Sequence, residues 1–250
     1  MFTWPRSRII GYSVYAFLVR GVLVDNGFPG AARDARALIT HLRPRGAFVT
    51  HHHEDHAGNT ELLAKSGVPL AMDSQTLTLL QHPDAIGPYR HFMWKATPPV
   101  VSSVIPFTDD ALSLIHTPGH CSNHHSVWDE STGTLFAGDL FLGVKVRMAH
   151  AYENPRQHVQ SLRAVIARNP DRMFCAHRGF VANGTSMLRA KADWIEHLVA
   201  KTDKLIDDGR TDREIRKELI GSLGSSHFIS AGDYSPVNLV AAIRRTRPQP

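Results

Sequence analysis

The spacing H-x-H-x-D-H at residues 51–56, within Thr50-His51-His52-His53-Glu54-Asp55-His56-Ala57-Gly58-Asn59, constrains this chain more than any other feature. On an extended backbone His51 and His53 stand two residues apart and leave the same face. A turn into helix at Asp55 lets Asp55 and His56 fan toward a second point close by. One corner then offers two nitrogens to one cation and an oxygen with a nitrogen to another. This mixture of imidazole and carboxylate suits a borderline cation such as zinc. An engineered histidine tag would lack the interleaved Asp and would not follow an apolar run such as Gly46-Ala47-Phe48-Val49.

Two ligands leave each cation incomplete, so the motif demands more donors downstream. Ile115-His116-Thr117-Pro118-Gly119-His120 ends an apolar run in a turn that presents His120. Leu135-Phe136-Ala137-Gly138-Asp139 ends in Asp139, and Met173-Phe174-Cys175-Ala176-His177 ends in His177. Each candidate stands where a hydrophobic run stops, which is where α/β sheets gather their chemistry. These four pieces, in this order, resemble the metallo-β-lactamase-fold hydrolase superfamily on its glyoxalase II-like side, over roughly residues 10 to 180. The resemblance implies one metal on His51, His53 and His120, a second on Asp55, His56 and His177, and Asp139 bridging both. It further implies two divalent ions, zinc first with iron or manganese as alternatives. A water shared by such ions has its pKa lowered from about 15.7 toward roughly 7, which makes hydroxide available for metal-assisted hydrolysis. Asp55 would also orient that hydroxide and carry its proton. No G-x-S-x-G nucleophile elbow is present.

Several neighbours of the motif pieces are read from the same resemblance. Asp25 stands where relatives have D-T-G or D-S-G, but Asn26 follows it here; it is expected to hold a ligand imidazole. His124 is expected beside the metals rather than on them, and His52 and His125 as structural or exposed. Ala176-His177-Arg178-Gly179 departs from the usual G-H-G around the last ligand.

The fold expected is α/β, a four-layer αββα sandwich of two mixed sheets with helices outside, occupying residues 1–182, with a C-terminal helical extension at 183–250. A chain of 250 residues with 42% apolar content can bury a sizeable core. Arg6 and Arg8 before the apolar run from Ile9 imitate a signal peptide, but no small-residue cleavage site follows. Val22-Leu23-Val24 instead pairs that run into a hairpin around Arg20-Gly21. The run is too short to span a bilayer, so a cytoplasmic protein without membrane contact is expected. Cys121 and Cys175 are too few for a disulfide framework and read as buried thiols. Residues 82–99 mix Pro and Gly with Tyr89, Phe92, Met93 and Trp94 and read as a loop covering a pocket. Ser74 reads as the N-cap of a helix over Gln75–Gln81. Asn154-Pro155, Thr211-x-x-Glu214 and Ser235-Pro236 read as helix starts.

Net charge is +5, yet residues 1–162 hold 13 basic and 13 acidic residues, and residues 163–250 hold 15 and 10. The catalytic part is therefore neutral, and the excess is C-terminal. A metal-dependent hydrolase of a small ester, thioester or lactone fits this distribution best. The first alternative is an endoribonuclease of the β-lactamase-like type, whose 19-residue step from His120 to Asp139 and C-terminal helices are similar; no basic–aromatic interleaving lies near the motif. The second is a mononuclear iron persulfide dioxygenase using His51, His120 and Asp139. Glyoxalase II itself is disfavoured, because its glutathione-binding Lys/Tyr pattern is not found after Asp139. The partner expected is a small molecule; nucleic acid is a less favoured partner and homo-oligomerisation is open.

Overall fold

A short apolar run from Phe17 reaches a turn at Arg20-Gly21, where both residues have positive φ, and the chain folds straight back on itself. In the computed structural model, which describes residues 1–2, 13–95 and 97–248, β1 (Phe17–Val19) pairs antiparallel with β2 (Val22–Val24) across that turn. The hairpin is as the sequence predicts; the portion of its first run before Ser13 lies outside the described residues.

Contacts within the chain gather into two units. The first comprises residues 1–116, 123–142 and 170–182; the second comprises 117–122, 143–169 and 183–250.

In the first unit, β2 continues in parallel to β3 (Gly46–Phe48) and β4 (Leu70–Ala71), joined by α1 (Ala32–Leu42), α2 (Glu54–Ala57) and α3 (Thr60–Lys65). The next segment holds α4 (Ser74–Gln81) and α5 (Pro88–Trp94). The second sheet runs in the order β5 (Leu112–His116), β6 (His125–Asp129), β7 (Thr134–Phe136), β8 (Arg172–Cys175) and β9 (Gly179–Val181). Only its β7–β8 pair is parallel, so both sheets are mixed. Val22, Val24, Phe48 and Ala71 of one sheet pack on Leu112, Val127 and Phe136 of the other. Phe17 sits between Phe136 and Phe174, with ring centroids 5.4 and 5.3 Å away. The far face of the first sheet, with Leu23, Ala47 and Val49, is covered by Leu38, Leu63 and Leu80 from its helices.

Two local expectations are corrected. The N-cap of α4 is Asp73, whose carboxylate accepts from Gln75 N at 2.8 Å, while Ser74 is the first helical residue. A carboxylate is at least as good an N-cap as a hydroxyl, and the aspartate came one residue earlier. Residues 82–99 are not loop throughout: Gly87 is followed by Pro at the first helical position, and α5 buries Met93 and Trp94, the indole lying 5.0 Å from Phe28.

The second unit is helical: α6 (Pro155–Ala167), α7 (Gly184–Asp207), α8 (Asp212–Leu219), α9 (Gly224–Ile229) and α10 (Pro236–Arg245). Three predicted starts are present. Asn154 accepts from Gln157 N, Thr211 and Glu214 form a reciprocal capping box, and Ser235 accepts from Val237 N. Leu162, Val165, Leu188, Ile195, Ile215, Leu239 and Ile243 fill its core. Among the described residues no helix is long and apolar enough to cross a membrane.

Candidate metal centre

Strand β3 ends at Phe48, the chain bends at His52, and His53, with φ of −63° and ψ of 147°, is the N-cap of α2. His51 and His53 are both buried, with His51 Nε2 3.0 Å from His53 Nδ1. Asp139, three residues beyond β7, brings a carboxylate oxygen to within 4.8 Å of ligand nitrogens of both. Just inside α2, Asp55 and His56 meet His177, their ligand atoms again within 4.8 Å of one another. Asp139 joins the two groups: its Oδ1 lies 3.1 Å from His177 Nε2 and 3.3 Å from His56 Nε2. Six of the seven candidate ligands are thus gathered within the first unit. The seventh, His120, is buried in the second unit, its Nδ1 3.6 Å from Glu153 Oε1.

The imidazoles of His51, His56 and His177 are oriented by what Nδ1 touches. Asp25 Oδ2 lies 2.7 Å from His56 Nδ1, as the sequence predicts, and the same carboxylate accepts from Thr50 N at 2.9 Å and Thr50 Oγ1 at 3.0 Å. Thr50 Oγ1 in turn lies 3.0 Å from His51 Nδ1. Ser13 O is 3.0 Å from His177 Nδ1. His124 accepts from Asp139 N at 2.9 Å, which places it beside the ligands, as expected. Gly138 permits this contact, because at its φ of 53° a Cβ would stand 2.7 Å from His124 Nε2. His52 and His125 serve structurally: both meet Asn123, through its side chain and its carbonyl respectively.

The departures from the family pattern have local explanations. Asn26 accepts from Asn59 N at 2.7 Å and donates to Thr60 Oγ1 at 3.1 Å, so it ties the strand end to the helix after the motif. Ala176 and Arg178 do not displace His177, because Arg178 turns its Nε away to Leu142 O at 2.5 Å. Sequence reasoning missed Thr50, Ser13, Glu153 and the Arg90–Glu54 pair. Only Thr50, adjacent to the motif, carried a signal in the chain itself.

The donor set fits divalent cations. Burial lowers the affinity of His56 and His177 for protons, yet the surrounding carboxylates, Asp139 first, outweigh it and hold both above the ordinary imidazole value. Burial in the same way raises Asp139, and His177 and His56 overcome it to hold the acid well below the usual carboxylate range. His56 Nε2, fully buried, makes no hydrogen bond of good geometry among the described residues. A buried imidazole nitrogen aimed at converging carboxylates is what a cation between them would satisfy.

Comparison with known proteins agrees. The sequence profile of the Metallo-beta-lactamase superfamily matches residues 9–177. The Beta-lactamase-like protein 2 homolog of Caenorhabditis elegans is 23% identical over 231 residues, 84% of this chain and 72% of that protein. A hydroxyacylglutathione hydrolase of Hahella chejuensis is 31% identical over 161 residues, 60% of this chain and 56% of that protein. The chain thus spans little more than half the length of the latter. A metallo-beta-lactamase family protein from Thermus thermophilus superposes with a TM-score of 0.64 at 18% identity, over 94% of this chain and 88% of its own. The fold is therefore the α/β, four-layer αββα sandwich that the sequence predicts, and the chain belongs to the metallo-β-lactamase superfamily.

Proposed function

We propose that the chain is a binuclear metallohydrolase, with zinc as the first choice of metal, that cleaves a small ester, thioester or lactone. The observation that carries this reading is Asp139, one carboxylate standing against both donor groups. His51, His53 and, by the family pattern, His120 would hold one cation; Asp55, His56 and His177 would hold the other. Such a pair of ions lowers the pKa of a shared water and polarises the oxygen under attack. The chain's own part is positioning and proton transfer. Asp25 and Thr50 fix the tautomers of His56 and His51, and His124 holds the backbone that carries Asp139. Beside its place among the ligand atoms of the second group, Asp55 would accept a proton and release it to the leaving group. The similarity to hydroxyacylglutathione hydrolases supports a thioester within this class.

Electrostatics of the second unit speak against a polyanion. Arg244 donates to Asp212, Arg247 to Asp207, Arg156 to Asp203 and Arg245 to Glu153 O. These guanidinium groups are engaged within their own unit, which leaves fewer of them to neutralise phosphates. RNA binding through several phosphates would weaken with salt at about −0.7 per contact on a log–log scale. The test is a panel of a thioester, an aryl ester, a lactone and an RNA oligonucleotide, assayed with metal-loaded protein near physiological salt. Turnover of at least one of the first three, without RNA cleavage, is the expected result. RNA cleavage that disappears in the His51→Ala variant would replace this reading with the endoribonuclease.

A further inference from the structure

His51, His56 and His177 are each braced through Nδ1, by Thr50, Asp25 and Ser13 O, whereas among the described residues Asp55 has no such brace. Its carboxylate meets His177 Nε2 at 3.4 Å and His56 Nε2 at 3.9 Å, both themselves donors to the same site. What aims Asp55 must therefore act through the backbone of α2. This helix is a single turn, and its N-cap, His53, makes no side-chain capping bond. Its first residue, Glu54, points elsewhere: it is 1% exposed and takes a two-pronged contact from Arg90, with Nε 2.6 Å from Oε1 and Nη2 on Oε2. Arg90 is itself held on α5, whose Met93 and Trp94 are buried against Phe28.

Resting on the two-metal reading above, we infer that the Arg90–Glu54 pair is the positioning device of the second metal site: it sets the rotation of α2 and so aims Asp55. A planar guanidinium gripping a carboxylate by two parallel bonds fixes direction as well as distance. One turn of helix rotating by a few tens of degrees moves a carboxylate out of ligating range, whereas His51 precedes α2 on the strand side and is braced by Thr50. Loss of the pair therefore weakens the site of Asp55, His56 and His177 more than the group of His51 and His53, where only His53 adjoins α2, as its N-cap. It also means that α5, within the segment expected to cover a pocket, is mechanically joined to the metal corner.

The test is a cobalt(II) titration of the full-length, metal-stripped protein against a competing chelator, read by bound ions per chain and by the d–d absorption of each site. The wild type is expected to bind two ions. In Arg90→Met one binding step stays within about threefold, while the other, identified by the shift of its absorption bands, loses about 10–100-fold in affinity, the range for loss of a ligand's supporting partner. A lone Glu54 left buried also lowers the melting temperature, so a second variant separates aim from stability. Glu54→Leu with Arg90→Met removes both charges, an exchange that buried ion pairs often tolerate. The melting temperature then recovers while second-site affinity stays low, because apolar contact does not fix direction. Recovery of affinity along with melting temperature, wild-type binding of both ions in Arg90→Met, or an equal loss at both sites would overturn the inference. A wild type that takes up fewer than two ions would instead overturn the two-metal reading, and this inference with it.

Discussion

Replacing Asp139 by Ala is expected to remove metal and activity together. Its Oδ1 faces His56 at 3.3 Å and His177 at 3.1 Å, and the same carboxylate groups with His51 and His53. Neither of two nearby buried acids can take its place: Asp25 is committed to His56 Nδ1 and Thr50, and Glu54 to Arg90. Removing a partner that merely supports a ligand costs about 10–100-fold in metal affinity or activity. Loss of the shared ligand itself should exceed the upper end of that range. Elemental analysis beside turnover checks it, with Asp139→Asn as the milder arm. The amide keeps one oxygen donor but no charge, so partial metal retention with strongly reduced turnover is expected. Full metal and full turnover in Asp139→Asn would show that Asp139 does not bridge.

The second large effect is structural. Gly58 follows α2 with an ordinary φ of −65°, so any residue could adopt its backbone conformation. Space is what it lacks. A Cβ there would stand 2.3 Å from Glu54 O, 2.4 Å from Pro29 Cδ and 2.7 Å from Gly27 O. None of these is the end of a flexible side chain, and Gly58 N is bound to Gly27 O at 2.9 Å. Overpacking of this kind costs about 1–3 kcal/mol and sometimes more; with backbone on two sides, about 3 kcal/mol is expected for Gly58→Ala. For a chain of this length that lowers the melting temperature by on the order of 10 °C. Thermal unfolding followed by circular dichroism measures it, and a shift below about 2 °C would mean that the turn has room to relax.

These two positions show what could and could not be read from the chain. Asp139 was legible because its signal is local: an apolar run, a glycine and an acid at a strand end, in order after the histidine motif. His51, His53, Asp55, His56 and His177 were legible for the same reason, and so was Asp25 at the end of β2. Gly58 was visible as a letter but not as a requirement, since the need for glycine comes from Pro29 and Gly27, about thirty residues away in the chain. Arg90 was invisible for a like reason. It meets Glu54 across 36 residues, from a segment whose prolines and glycines suggested a loop. The error there lay in reading Gly87-Pro88 as a break, when proline at the first helical position starts a helix as readily as it ends one. Ser13 O, which orients His177 from 164 residues away, is backbone and leaves no trace in sequence at all.

The proposed pair of metal ions rests on the donors His51, His53, Asp55, His56, Asp139 and His177. The most direct test is elemental analysis of protein purified without an affinity tag, reported as ions per chain. Close to two ions, zinc foremost, with hydrolysis lost on chelation and regained on adding metal back, is the predicted result. A single iron per chain, with activity that depends on oxygen, would contradict it.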